Sequence, residues 1–419
     1  PTYVMLADLR KAFDTLTANR RLVWVRLRQL GVAGKLFAAL QRGYVKGVAA
    51  GRHRDKSGTT FSRDYDDAGL GVTQGGVDSS LLFAILADKL DTEIEQMERG
   101  QWLGVPLQTQ ERDNSDVERL VCLKHADDTA LICGSASDLQ DAVRGFEQWC
   151  RRWQIAPQPT KCKVLVFEAK KEKRARTQPR IDLVGKTLEV VKSSLYLGYM
   201  LDVETTWGKH VDRRLKKAAA WDGVAQQLTG GSGAATVETA AVVRRATAEA
   251  GILYGAEMWG AAGSREAAEA DMHQAKVAKE ILGTRSAAEA EGVLTELGWM
   301  RVSTLAVQSR LELWRRLATT ASRALQEIEW SAEKWLSATE EEKVEANRYN
   351  WWRSTLVEAD AVAAEAGLTR GQLRALAGKD FSRVVKLTLW EREWQQRTKR
   401  MAESSRLQDY AWRLMTSRL

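Results

Sequence analysis

Two adjacent aspartates lie between two short apolar runs, and this stretch most constrains what the chain can fold into. Residues 120–123 and 130–133 are apolar, and the sequence Lys-His-Ala-Asp-Asp between them ends in Asp127 and Asp128. Two such runs around a polar tip predict a β-hairpin. Ionised carboxylates are costly away from water or a cation, so the pair indicates a cation site. On this stretch alone, an ordinary Asp-rich turn remains the simpler interpretation.

Another carboxylate follows the first predicted strand. Residues 3–7 are apolar, as in a buried strand, and Asp8 comes directly after them. Taken alone, Asp8 fits a helix cap or a turn equally well. Together with the hairpin it indicates a metal site, because Mg²⁺ prefers a few carboxylates plus substrate phosphate oxygens. Two such ions about 4 Å apart activate a 3′ hydroxyl and stabilise a leaving pyrophosphate.

A glycine-rich loop and two helices surround these carboxylates in the sequence. Four glycines within residues 69–76 allow close approach of the backbone to a ligand, although a flexible turn is the more common use. The segment 81–97 predicts a helix with an apolar face. A longer amphipathic helix is predicted to begin at Ser137 or Asp138 and to end at Pro157.

Composition narrows the classes of partner and compartment. Lysine and arginine total 63 against 55 acidic residues, and the net charge of +8 favours a polyanionic partner. The four cysteines form no CxxC pair and three of the four histidines lie far from them, so a zinc site is disfavoured and a reducing compartment is expected. No apolar run approaches the roughly 18 residues of a membrane helix. The chain enters an apolar strand directly after Pro1, so we expect a natural segment to precede it.

The order and identity of these motifs resemble the reverse transcriptase of non-LTR (LINE-like) retrotransposons. The segment Asp8–Asp14 resembles the first palm motif of that family, and Gly71–Gly75 resembles the second. The third motif is matched by Ala126–Asp128. The stretch Trp149–Phe167 is similar to the fourth, and Tyr196–Gly198 is similar to the fifth, the primer grip. Five motifs in the family's order make the resemblance specific.

The resemblance implies an α+β fold. It implies a right-hand polymerase palm, built from an antiparallel sheet with helices, followed by a helical thumb and a helical C-terminal region. The expected domains are a palm at 1–190 with a partial fingers insert at about 45–65, a primer grip and helical thumb at 191–262, and a helical C-terminal region of unknown role at 263–419.

The resemblance also implies an activity and a set of site residues. The activity is RNA-directed DNA polymerisation, in which dNTPs extend a DNA primer or target on an RNA template. Two Mg²⁺ ions, or Mn²⁺ in their place, would be held by Asp8, Asp127 and Asp128, and Lys161 would protonate the pyrophosphate. The remaining implied residues are Phe13, Gln74 and Gly75 for the nucleotide, and Tyr196, Leu197 and Gly198 for the primer grip. The ring of Phe13 would clash with a 2′ hydroxyl and so select deoxynucleotides.

The sequence departs from the family pattern at several positions. His125 stands where the family has an aromatic residue, and Thr73 stands where it has proline. The loop continues with three further departures, at Gly76, Asp78 and Ser80. These departures fit an alternative, a decayed or domesticated copy that binds nucleic acid without catalysis. An RNA-templated RNA polymerase is a third hypothesis, which Phe13 disfavours.

Overall fold

The computed structural model describes residues 1–10, 20–43, 48–49, 52–55, 58–61, 65–66, 79–97, 103–106, 119–168, 178–229, 236–284, 287–319 and 351–416. The chain divides into two compact units. The first unit comprises Pro1–Leu107 and Asn114–Thr205, and the second comprises Gln108–Asp113 and Thr206–Leu419. The first unit combines a mainly antiparallel sheet with helices, so the predicted α+β class is confirmed.

The first unit contains short strands and five described helices. Its strands are β1 (Thr2–Ala7), β2 (Val48–Ala49), β3 (Arg52–Asp55), β4 (Gly58–Phe61), β5 (Tyr65–Asp66), β6 (Val105–Pro106), β7 (Arg119–Leu120), β8 (Cys122–His125), β9 (Asp128–Cys133), β10 (Lys163–Phe167), β11 (Asp182–Leu183), β12 (Lys186–Thr187), β13 (Glu189–Val190), β14 (Ser193–Tyr196) and β15 (Tyr199–Asp202). Its described helices are α1 (Arg20–Gln29), α2 (Gly34–Gly43), α3 (Ser79–Ala87), α4 (Lys89–Glu95) and α5 (Ala136–Arg152).

A five-stranded sheet in the order β13-β10-β1-β9-β8 forms the centre of the first unit. The central strand β1 is antiparallel to both β9 and β10, β8 is antiparallel to β9, and β13 is parallel to β10. Side chains alternate between the faces of a strand. Met5 therefore packs among the helices on one face, while Val4 and Leu6 pack on the other. Because both faces are covered, β1 is apolar from Tyr3 to Ala7.

Helix α5 covers one face of the sheet through a continuous apolar stripe. Leu139, Val143 and Phe146 are fully buried in the main core of the unit. The helix begins at Ala136, one or two residues earlier than predicted, because the Ser135 side chain caps it by accepting a hydrogen bond from the Asp138 backbone N–H. It also ends earlier than predicted, at Arg152. Ser135, Ser137 and Asp138 are all residue types that cap helices, so the sequence pattern did not distinguish the true cap.

The helix predicted at 81–97 is two helices. The helix is interrupted at Asp88, which separates α3 from α4. The Asp88 carboxylate accepts a hydrogen bond from the Arg26 side chain on α1 at 3.1 Å. Leu86 and Leu90, on either side of the break, are both fully buried. Apolar spacing therefore continues across the break, which explains why it was not visible in the sequence.

A β-hairpin covers the opposite face of the sheet. Strands β14 and β15 pair with Tyr196 opposite Tyr199, so Leu197 and Gly198 form a two-residue turn. Both turn residues have positive φ, +48° and +79°, as in a type I′ turn. Tyr196 and Leu201 pack against the apolar cluster of the central sheet, which consists of Val4, Leu6, Ala130 and Leu165. The predicted primer-grip residues Tyr196, Leu197 and Gly198 therefore lie at the end of β14 and in the turn that follows it.

Every described element of the second unit is helical. The helices are α6 (Gly208–Thr229), α7 (Val237–Arg244), a π-helical turn (Arg245–Glu249), α8 (Ala250–Ile252), α9 (Ala256–Trp259), α10 (Arg265–Ile281), α11 (Ala290–Glu296), α12 (Val302–Ala318), α13 (Trp351–Glu365), α14 (Arg370–Ala375), α15 (Gly378–Glu403) and α16 (Gln408–Thr416). Tryptophans such as Trp259 and Trp314 are buried packing residues. Across the described residues, the helices are too short or too polar for one to cross a membrane.

Candidate active site

The predicted Asp-Asp hairpin is formed by β8 and β9. His125 pairs with Asp128, so Ala126 and Asp127 are the two turn residues. Ala126 has a φ of +52°, which is the left-handed region that a residue with a Cβ rarely adopts. The hairpin prediction is confirmed, and its turn holds one residue in a strained backbone conformation directly before Asp127.

Ala126→Gly is expected to stabilise the chain by about 0.5–1 kcal/mol, because glycine adopts positive φ without a steric cost. Urea unfolding of the two proteins measures this difference. The matched control is Ala130→Gly, four residues along the same hairpin in a buried strand, where the loss of a packed methyl group and the gain in unfolded-chain freedom should destabilise the chain. Equal losses in both variants would contradict strain at Ala126.

Asp8 lies at the end of β1, next to the hairpin. Ala7 pairs with Thr129 on β9, so the next residue of each strand, Asp8 and Asp128, lie opposite each other where the pairing ends. Burial raises the pKa of Asp128, and the negative charges of Asp127 and Asp8 raise it further. Three carboxylates from two segments therefore repel one another at one end of the sheet, an arrangement that a divalent cation would relieve.

Asp128→Asn is expected to raise the melting temperature at pH 7. A raised pKa in the folded state means that ionisation of Asp128 costs stability as the pH rises above the ordinary Asp value of 3.8. The melting-temperature gain of the variant should therefore be small near pH 4 and should grow towards pH 7. Thermal unfolding of both proteins across this range measures the trend. A gain that does not grow with pH would show that neither burial nor the neighbouring carboxylates raise the pKa of Asp128.

Lys161 lies beside the first carboxylate. Its Nζ is 3.8 Å from Asp8 Oδ1, and its side chain is 61% exposed. The residue stands in the turn that precedes β10, and its backbone N–H donates to the Gln158 carbonyl. The predicted general acid and a predicted metal ligand are therefore neighbours, with the ammonium group open to a ligand in solvent.

Lys124 connects the Asp-Asp hairpin to helices α3 and α4. The Lys124 ammonium donates to the Asp91 carboxylate on α4 and to the Ala87 carbonyl at the end of α3. This places a charge-assisted contact one residue before the turn segment 125–128. Lys124 could not be singled out from the sequence, because its partners lie more than 30 residues away and on helices whose break was not visible.

Tyr196 of the predicted primer grip belongs to the same unit as the carboxylates. Burial raises the pKa of Tyr196 to about 12, and the charge of Asp128 contributes to this shift. Leu197 and Gly198 form the turn that follows Tyr196. Tyr196 therefore lies within electrostatic reach of the Asp-Asp hairpin, on the sheet face opposite the helices.

Part of the predicted site lies outside the described residues. This applies to Phe13, Gln74 and Gly75. Within the described ranges, no three His, Cys, Asp or Glu side chains are grouped closely enough to hold a metal ion by themselves. Asp8, Asp127 and Asp128 thus interact electrostatically without forming a complete protein cage.

The sequence of the first unit is similar to a known protein family. Residues 1–201 match the model of the family described as reverse transcriptase (RNA-dependent DNA polymerase). This part of the chain is thus similar to the reverse transcriptase family, as its motifs indicated.

Two curated relatives from Drosophila melanogaster point to mobile elements. The RNA-directed DNA polymerase from mobile element jockey is 26% identical over 147 residues, which are 34% of this chain and 14% of the relative. The probable RNA-directed DNA polymerase from transposon X-element is 24% identical over 288 residues, 67% of this chain and 28% of the relative. The chain thus spans a minor part of either relative. These matches confirm the resemblance to non-LTR retrotransposons.

Proposed function

We propose that this chain is the polymerase part of a non-LTR retrotransposon reverse transcriptase, which adds dNTPs to a DNA primer or target on an RNA template. The observation that carries the proposal is the meeting of Asp8 with Asp127 and Asp128 at one end of the sheet. Their mutual repulsion has no structural benefit, whereas a nucleotidyl transferase uses such carboxylates to bind cations. The match of residues 1–201 to the reverse transcriptase family supports the same chemistry.

The donor set suits two Mg²⁺ ions, with Mn²⁺ as the alternative, because carboxylate oxygens are hard ligands. Asp8 and Asp127 would be the main ligands and Asp128 would assist. Phosphate oxygens of the nucleotide would complete the coordination. When bound, the ions would activate the primer 3′ hydroxyl and stabilise the leaving pyrophosphate.

The chain's other residues would orient the substrates and move one proton. Lys161, beside Asp8 and exposed, would donate a proton to the pyrophosphate as general acid. Phe13 would exclude a 2′ hydroxyl, and Gln74 with Gly75 would line the nucleotide pocket. The turn of Tyr196, Leu197 and Gly198 would hold the primer end as the primer grip.

These roles imply a finer architecture within the α+β class. The sheet of β13-β10-β1-β9-β8 with helices on one face fits a right-hand palm. The palm would extend over 1–190 with a partial fingers insert at about 45–65, the primer grip and helical thumb over 191–262, and a helical C-terminal region over 263–419. The hairpin of β3 and β4 lies inside the proposed insert.

Primer extension tests the proposed function directly. The assay uses poly(rA) as template, oligo(dT) as primer, dTTP and Mg²⁺, and a parallel reaction contains a chelator. We expect extension that requires both the RNA template and the divalent cation. Filter binding of the template–primer, measured across salt concentrations, reports binding separately from synthesis. Binding without any extension, with Mg²⁺ or with Mn²⁺, would refute the polymerase and support the non-catalytic alternative.

A further inference from the structure

The strand pairing beside Asp8 is interrupted by extra residues on one side. Strand β10 pairs with β1 up to Leu6 opposite Lys163, and an isolated antiparallel bridge then joins Leu9 to Pro157. Between these two points, the five residues 158–162 lie opposite only two, Ala7 and Asp8. We define residues 158–162 as the Asp8 bulge. Bulges of this kind redirect side chains and are frequent next to active sites.

The Asp8 bulge supplies hydrogen bonds to both backbone polar groups of Asp8. The Asp8 N–H donates to the Cys162 Sγ at 3.3 Å. The Asp8 carbonyl accepts from the Gln158 N–H at 2.8 Å and from the Cys162 thiol at 3.7 Å. A polar group that leaves a sheet must find such partners elsewhere. The backbone of this carboxylate is thus held by the bulge.

Hydrogen bonds within the bulge connect Gln158 with Cys162, the two residues that contact the backbone of Asp8. The Gln158 carbonyl accepts from the N–H groups of Lys161 and Cys162, at 2.9 and 3.2 Å. Cys162 is fully buried in the core that includes Met5. Lys161, the residue before it, is exposed and places its Nζ 3.8 Å from Asp8 Oδ1. Two consecutive residues therefore contact the backbone and the carboxylate of the same aspartate.

We propose that the Asp8 bulge sets the position of Asp8, and that Cys162 is the positioning residue through which it does so. The thiol touches neither substrate nor reacting atoms; it acts by fixing the backbone of Asp8 while Lys161 faces the carboxylate. This inference rests on the proposed polymerase function for its kinetic consequence. A displacement of about 1 Å in a catalytic group costs up to about 10²-fold in rate, so the contact is expected to affect turnover.

Three variants test the role of Cys162. Cys162→Ala removes both sulfur contacts with Asp8, and Cys162→Ser retains a group that donates and accepts. Cys150→Ala is the matched control, because Cys150 is a buried thiol of the same core with no hydrogen bond to Asp8 among the described contacts. Each variant is assayed for primer-extension kcat, for the KM of the template–primer and for amide hydrogen exchange.

We expect Cys162→Ala to lower kcat about tenfold with little change in KM, and Cys162→Ser to recover most of the loss. Exchange should rise about tenfold in the peptide covering residues 3–10 and stay unchanged in the peptide of β9, whereas Cys150→Ala should show neither effect. A Cys162→Ala variant that matches Cys150→Ala in both kcat and local exchange would overturn the proposal.

The exchange measurement separates this proposal from the polymerase function. If the unmodified chain extends no primer, the proposed function fails, yet faster exchange around Asp8 in Cys162→Ala still supports the positioning role. If Cys162→Ala does not fold, hydrogen exchange of the Cys162→Ser variant tests the positioning role. Retained protection of residues 3–10 in the serine variant supports the hydrogen-bond role, and lost protection overturns it.

Discussion

Asp127→Ala and Asp8→Asn are each expected to lower primer-extension kcat by about 10³-fold or more while the template–primer remains bound. Each change removes a proposed ligand of the two cations, and a bound metal contributes several kcal/mol of transition-state stabilisation. Template–primer affinity depends on many basic groups and phosphates, so its dissociation constant should change little. Single-turnover extension with saturating dTTP measures the first quantity, and filter binding measures the second.

A matched acidic residue tests the specificity of this loss. Glu189 lies on β13 of the same sheet, exposed, with Oε2 2.5 Å from the Lys163 ammonium. Glu189→Gln removes one negative charge away from the proposed site and should leave kcat within about twofold, because exposed ion pairs contribute little. If Glu189→Gln were as inactive as Asp8→Asn, net charge rather than a metal site would explain the result.

The Asp-Asp hairpin was predictable because both of its signals are local. Apolar runs of strand length flank residues 124–128, and two adjacent carboxylates have few purposes at a strand tip. The order of five motifs then predicted the family, which the match over residues 1–201 confirms. The roles of Asp8, Asp127, Asp128 and Lys161 and the domain boundaries stay predictions, because they concern substrates and movements rather than the resting fold.

Details that depend on contacts between distant segments were not predictable. Ala126 and Leu197 occupy positive φ without the Gly or Asn that usually marks such positions. The contact of Cys162 with Asp8 was not visible in the sequence, because the two residues are 154 positions apart. The break at Asp88 is likewise hidden by continuous apolar spacing. In each case tertiary pairing overrode a local pattern.

In the second unit, the buried residue Arg310 has a structural role. Its side chain is buried, at 3% exposure, and donates to the Thr355 hydroxyl at 2.7 Å, the Trp351 carbonyl at 2.9 Å and the Ser354 hydroxyl at 2.6 Å. A further bond reaches the Met258 carbonyl at 3.2 Å. Arg310 on α12 thereby joins α9 and α13. Burial lowers the pKa of Arg310 to about 10, so the guanidinium remains charged at neutral pH and depends on these oxygens.

Arg310→Ala is therefore expected to destabilise the second unit by about 3–5 kcal/mol, because it removes the bonds and leaves a cavity with unsatisfied oxygens. Arg310→Lys should recover little, since an ammonium cannot reproduce the planar fork. Arg310→Met should cost less than alanine, because it fills the space and buries no charge. The control is Arg316→Ala on the exposed face of the same helix, with an expected change within about 0.5 kcal/mol. Urea unfolding followed by tryptophan fluorescence ranks the four variants. Equal losses for Arg310→Ala and Arg316→Ala would show that α9, α12 and α13 are held together by apolar packing alone.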